Sequence, residues 1–523
     1  MMSAMNSLLR GLTCALAVLL LGCNSSGPER DPTRVTMAVA REINTLDPAA
    51  TFVISNQLAI NLAYEKLVVA ELVEGKPTGR MIGQLAERWE TSPDGLQWTF
   101  FLRRGHYFDD GAEVTAEAVK FSFERTLKLK APPAQFLFFL RSVEVIGPQE
   151  VRFTLRMPVA FFLQVLAVPT ASIVNPSVSE KIKGDELGRR WLTTNTAGSG
   201  PYRVERFVRG QQVLLRENPM ASRKPDYFRE VNFIVVKDDA TRAIQLSKGA
   251  LDIVDPVPGT VDDWLRRKAG LKIEAGPSPI IAFLHMNNDR PLFKDPRVRQ
   301  AVSLAIDREK IGSAIYDGRA RLLRGVLPEG VPGHDASLPL PRFDPGEAKR
   351  LLEEAGVKQG TRIAFTVVGD GNSPSPVAVA IQHQLQAVGF DVVIERISTA
   401  ARTKIMKGDF DITMQSINLD FPDPSIVFNF VYNSAMIGGA NFPRYRNAEV
   451  DKLIARADRS LDLDQRAELY QQAQRIVVEQ MPTAVLYQLD WQRAQRADLR
   501  GVNYNFAQPS FYNFESMSRH GVR

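Results

Sequence analysis

Strand-like and helix-like segments alternate along this chain of 523 residues, which predicts an α/β protein with crossover connections. Three observations carry that expectation. Apolar β-runs bordered by turn residues occupy the first half, and helix starts marked by Asp-Pro pairs punctuate the second. The composition, 44% hydrophobic and 24% charged, is that of an ordinary soluble globular chain. At about 150 residues per domain, the length suggests roughly three domains.

The N-terminus reads as an export signal. Met1 to Arg10 carries one charge, Leu12 to Leu21 is apolar, and Gly22 precedes Cys23. The apolar run is too short for the roughly 20 residues of a membrane-spanning helix. Its end, Leu20 to Cys23, resembles the bacterial lipobox, in which the cysteine is lipidated and becomes the first residue. Residues 1–22 are then a lipoprotein signal peptide, and 23–33, beginning with the polar Asn24 to Pro28, a flexible tether. The other cysteine, Cys14, leaves with the signal. The mature chain has no thiol for a disulfide, for thiolate catalysis or for a cysteine metal site.

The elements follow in order. Arg34 to Ala40 is a strand, followed by the turn Asn44 to Pro48. Gln97 to Leu102 is a strand entered through the turn Ser92 to Gly95. Thr115 caps a helix with Val119, Phe123 and Leu127 on one face. Asp295-Pro296 starts a helix that buries Val298, Ala301, Val302, Ala305 and Ile306. Asp344 caps another, with Glu347 placed to reach back and Gly356 to end it. Strands are expected at Ile363–Val368, Phe390–Glu395, Phe410–Gln415 and Thr483–Leu489, and helices at Val377–Val388, Glu449–Asp458 and Gln465–Gln480.

Motifs for chemistry do not emerge. The chain contains no G-x-S-x-G, no H-E-x-x-H and no G-x-x-x-x-G-K-[ST]. Gly198 to Tyr202 (GSGPY) reads as a tight turn before a strand, since Pro201 has no N–H to offer a phosphate. The five histidines, His106, His285, His334, His383 and His520, are not at ligand spacing. No metal or cofactor is expected. A formal charge of +6 with no run of five like charges gives no concentrated basic face for nucleic acid.

Six blocks resemble the bacterial extracellular solute-binding proteins of family 5, which serve peptide and nickel ABC importers. The first is the succession Leu85–Trp89 (LAERW), Asp94–Phe100 (DGLQWTF), Leu102–Gly105, Phe108–Gly111 (FDDG) and Ala118–Ser122. The others are Gly198–Tyr202 with Glu217–Pro219, Asp295–Val302 with Ala305–Arg308, Asp344–Gly356, Asp420–Pro424 (DFPDP), and Asn441–Tyr445 with Asp451–Leu453.

The resemblance implies an α/β, two-lobed periplasmic-binding-protein (Venus-flytrap) fold with mixed sheets and a hinge of two crossing strands, near Ile280–Leu284 and Ala484–Leu489. Lobe I, with an extra subdomain, would comprise 34–278 and 482–523, and lobe II 279–481. It implies a non-enzymatic, monomeric receptor in the periplasm, anchored to a membrane through Cys23. The receptor would capture a peptide-like solute and deliver it to ABC permease and ATPase subunits. Peptide-binding members hold the ligand's α-ammonium on the first aspartate of the D-x-x-D-P block, here Asp420, which otherwise caps a turn or helix. They also run an early loop beside the peptide like an added strand. By position that loop is Thr51 to Ser55, with Phe52, Ile54 and Ser55 facing ligand, or else it is a plain solvent loop. Tyr487 and Tyr432 are ligand candidates or core aromatics. Well-known peptide binders carry tryptophan three residues before the aspartate, where this chain has Ile417. The departure leaves open a nickel chelate, haem, an opine or a modified amino acid as ligand. A ligand-sensing partner of a membrane chemosensor is the alternative role.

Overall fold

The computed structural model describes residues 31–73, 76–184, 186–257, 259–369, 375–502 and 512–520. The expected signal peptide and Cys23 lie outside the described residues. One mixed sheet runs through the molecule. Its strands follow in the order Phe390–Ile397, Thr361–Val368, Ile412–Asn418, Leu271–Met286, Thr483–Arg496, Ile253–Val254, Arg34–Val39, Glu230–Val235, Gln212–Glu217 and Tyr202–Val208. One end contains the parallel pair Thr361–Val368 and Phe390–Ile397, joined by the crossover helix Pro376–Ala387. That helix buries Val377, Ala378, Ile381 and Leu385 against the sheet, as a parallel connection requires. The other end is built on the parallel pair Arg34–Val39 and Glu230–Val235. These two ends are the two lobes.

The lobes are joined by the antiparallel strands Leu271–Met286 and Thr483–Arg496, far longer than the short crossing segments the resemblance implied. Leu271–Pro277 pairs with Asp490–Arg496, and Ile281–His285 pairs with Thr483–Gln488. The register breaks between Pro277 and Ile281. Pro277 and Pro279 supply no N–H to the ladder, which is why pairing lapses there. On one side of the break the pair adjoins Ile253–Val254, and on the other Ile412–Asn418.

An antiparallel four-stranded sheet forms a separate layer, in the order Ala86–Thr91, Gln97–Leu102, Glu150–Leu155 and Leu140–Gly147. Trp98, Phe100 and Leu102 alternate inward, the period-two signature of a half-buried strand. Phe100 and Phe123 meet Phe153 edge-on at 5.5 and 4.9 Å. The first resemblance block is thus the core of this subdomain. The helix over it spans Ala116–Leu129; Thr115 holds the N-cap position, but its side chain makes no capping bond. By contrast Asp295 and Asp344 cap as expected, accepting from Arg297 N–H and Glu347 N–H at 2.9 Å. Glu347 does not reach back; it binds Arg350 at 2.6 Å instead.

The GSGPY segment is a close-packed junction. A Cβ on Gly198 would lie 2.0 Å from Ala63 O, and one on Gly200 would lie 2.6 Å from Leu62 O. Only glycine lets this turn press against the end of the helix Ile54–Ala63, where Gly200 N–H donates to Ala63 O at 3.1 Å. A buried, bidentate Asp47–Arg125 pair at 2.7 Å ties the approach to that helix to the subdomain.

The lobes touch around their cleft. Ala160 N–H donates to Asp458 O at 2.8 Å, and Phe161 stacks on Phe421 at 6.2 Å. The subdomain core therefore continues into the segment that holds Phe421, Val427 and Tyr470.

Candidate functional site

Between the lobes lies a cavity of about 1410 Å³. Val39, Phe52 and Ile54 line it from the end of the sheet that holds Arg34–Val39, Ile280 and Trp491 from the crossing strands, and Tyr316 and Asp420 from the end that holds Ile412–Asn418. A second cavity of about 520 Å³ adjoins it, and Val168 and Asp420 border both.

The chain around Asp420 is fixed from both sides. Before it, Leu419 is fully buried and its N–H donates to Pro279 O at 2.9 Å, on the crossing strand. After it, Asp423 caps the short helix Pro424–Val427 by accepting from Ser425 N–H at 2.9 Å. The same carboxylate takes both ends of the Arg466 guanidinium at 2.6 and 2.7 Å, with both side chains buried. The Pro-rich segment is therefore capped and paired by Asp423, and Asp420 has no part in that.

Asp420 is left facing the cavity. Its one hydrogen bond within the described residues comes from Asn418 Nδ2 at 2.8 Å. Burial pushes its carboxyl up to about 6, opposed only by the Asn418 bond. Asp423 shows the contrast: burial would raise it too, but Arg466 and Ser425 outweigh this and hold it below the usual carboxylate range. A withdrawn carboxylate with a single amide donor lacks the paired charge that such groups need. A cation delivered from the cavity would complete it with a charge-assisted hydrogen bond.

The early loop differs from its expected form. The backbone is extended only as far as Val53 and turns helical at Ile54. Thr51 Oγ1 accepts from Val53 N–H at 3.0 Å and from Asn56 Nδ2 at 2.8 Å, which starts the helix early. Ile54 and Ser55 therefore cannot add a strand to a ligand. Both still line the cavity, as does Phe52, whose ring sits edge-on to Phe136 at 4.8 Å. Ser55 Oγ is engaged with Glu42 O at 3.1 Å.

The two tyrosines stand behind the wall. Tyr487 is buried and bonds Tyr316 hydroxyl to hydroxyl at 2.9 Å; it is Tyr316 that lines the cavity. Tyr432 is fully buried between Phe428 and Tyr445, at 5.8 and 6.3 Å, and is a core aromatic.

Sequence reasoning missed Trp491, Tyr316 and Asp255. Asp255 accepts from Trp491 Nε1 at 3.0 Å and from the Tyr512 hydroxyl, and burial pushes it up to about 6 against those bonds. These residues come from distant segments, so no local pattern announces them.

Comparison with known proteins places this architecture. The family model described as bacterial extracellular solute-binding proteins, family 5 Middle, matches residues 80–439. The probable D,D-dipeptide-binding periplasmic protein DdpA of Escherichia coli (strain K12) is 34% identical over 484 residues, 92% of this chain and 93% of that protein. Di/tripeptide-binding protein 3 of Pseudomonas aeruginosa (strain UCBPP-PA14) is 30% identical over 430 residues, covering 77% and 80% of the two chains. Among solved structures, the ABC transporter-associated periplasmic binding protein DppA from Helicobacter pylori, in complex with peptide STSA, shares the fold. Its TM-score is 0.81 at 23% identity, over 93% of this chain and 98% of that one. With two lobes, two long crossing strands and a cavity between them, the chain belongs to the bacterial extracellular solute-binding proteins of family 5.

Proposed function

We propose that this chain is the periplasmic receptor of an ABC importer and holds a peptide-like solute by its α-ammonium on Asp420. The observation that carries this reading is the state of Asp420: a half-buried carboxylate at the cavity wall, with one amide donor among the described residues and a pKa raised to about 6. Relatives named for dipeptides, and for di- and tripeptides, support the class of solute. The receptor performs no chemistry itself; it is a monomer that hands its cargo to permease and ATPase subunits.

In this reading lobe II spans 279–481, and lobe I spans 34–278 and 482–523. Closure pivots where the crossing strands lose register, beside Pro277 and Ile281. Ligand selects the closed arrangement because it contacts both lobes only there. Cys23, lipidated, keeps the receptor at the membrane. Mass spectrometry of the solute that co-purifies tests the proposal. A solute with a free α-ammonium agrees with it; one with no basic nitrogen contradicts it.

A further inference from the structure

The smaller cavity carries a second charge, one with no direct ion pair among the described residues. Lys66 lies on its wall and is 4% exposed. Its Nζ donates to Asn61 Oδ1 at 2.8 Å, a neutral acceptor. The charged groups that face it are Arg223, Glu515 and Glu65. Both carboxylates are already engaged: Glu65 with His106 Nδ1 at 3.0 Å, and Glu515 with Arg223 at 2.8 Å. His106 also meets Ser222 Oγ at 3.1 Å. Desolvation first, and then the Arg223 charge, pull the Lys66 ammonium down to about 8.

Lys66 is also firmly held. Its N–H donates to Gln84 Oε1 at 2.8 Å, its carbonyl accepts from Leu85 N–H at 3.0 Å, and the neighbouring Glu65 carbonyl accepts from Ile173 N–H at 2.9 Å. Burying and ordering a lysine that makes no direct ion pair among the described residues is unfavourable on both solvation and entropy grounds. Asp420 is the mirror case, an anion with no cation paired to it among the described residues, and it borders the same cavity. Neither group is among the charges that perturb the other. They do not neutralise one another, and a molecule with both signs would.

We propose that Lys66 receives the carboxylate of a zwitterionic solute whose ammonium rests on Asp420, so that the solute reaches from the inter-lobe cavity into the smaller one. This rests on the reading of Asp420 above and adds the class of solute: short, with both termini free. The larger cavity offers poorer anion partners. Arg41 and Arg402 are exposed, and Arg319 has Asp317 at 3.7 Å. A space of about 520 Å³ is within the range that holds small ligands.

The test is calorimetry with Ala-Ala dipeptides, L,L and D,D, as free acids and as C-terminal amides. The proteins are wild type, Lys66→Met, Lys66→Arg and Asp420→Asn, each checked for native circular dichroism. Amidation and Lys66→Met should each weaken binding on the order of a hundredfold. Amidation should cost little more on Lys66→Met, because both changes delete one contact. Lys66→Arg should keep most of the affinity and lose the decline that wild type shows above about pH 8. The dipeptide's own ammonium titrates at about 7.7–8.0 for both proteins, so the difference between their pH profiles belongs to Lys66. Equal binding of acid and amide, or normal binding by Lys66→Met while Asp420→Asn fails, overturns the role of Lys66 and leaves that of Asp420 intact. If no dipeptide binds wild type, or Asp420→Asn binds as wild type does, the reading of Asp420 falls and this inference falls with it.

Discussion

Two aspartates three residues apart should respond to substitution with opposite signs. Asp423 and Arg466 form a bidentate pair, 2% and 3% exposed. Asp423→Ala leaves the guanidinium buried without its partner, which costs about 3–5 kcal/mol. Among the described residues Asp420 has no such partner. Its pKa rises from 3.8 to about 6, so the folded protein holds a proton that the unfolded chain has released. Stability therefore falls as pH rises from about 4 to about 6 and stays low above that. At about 1.36 kcal/mol per unit, the loss by neutral pH is on the order of 3 kcal/mol. Asp420→Asn keeps an acceptor for Asn418 and removes the charge, so it should stabilise the ligand-free protein at pH 7 by on the order of 2–3 kcal/mol. The gain should vanish near pH 4. Urea unfolding of ligand-free wild type and both variants, at pH 4 and pH 7, reads these values directly. If Asp420→Asn destabilises the protein at pH 7 as Asp423→Ala does, Asp420 is a structural residue and the reasoning is wrong.

Other consequences are more local. Cys23→Ser should abolish partitioning into the detergent phase while leaving the soluble fold unchanged, as phase separation and circular dichroism would report. Arg125→Met strands the buried Asp47 carboxylate and should cost about 3–5 kcal/mol in urea unfolding. Gly200→Ala drives a Cβ to 2.6 Å from Leu62 O and should cost about 1–3 kcal/mol, read as a lowered thermal midpoint.

Much of the fold was legible because its signals are local. Asp295 and Asp344 sit where capping bonds form, and Trp98, Phe100 and Leu102 alternate along their strand. The extent of the crossing strands was not legible. Leu271–Met286 contains Gly276, Pro277 and Pro279, which read as strand breakers, and the strand survives them through pairing with Thr483–Arg496. The block that singles out Asp420 puts it on the cavity wall, and its separation from Asp423 follows from a contact with Arg466 more than forty residues away. Helix initiation at Ile54 depends on Thr51 and Asn56 side chains that the loop reading overlooked. Tyr432 and Tyr487 illustrate the converse: an aromatic residue near a motif is more often packing than contact.

The central claim is that Asp420 pairs with a ligand ammonium inside the closed cleft. Its most direct test is a calorimetric cycle of wild type and Asp420→Ala against Ala-Ala dipeptides and their N-acetyl forms. The account predicts that the substitution and the acetylation each weaken binding by roughly a hundredfold to several thousandfold, the cost of about 3–5 kcal/mol for breaking a buried pair. It predicts that the two together cost little more than either alone, because both delete one contact. Additive losses, or a folded Asp420→Ala protein that binds normally, would contradict it.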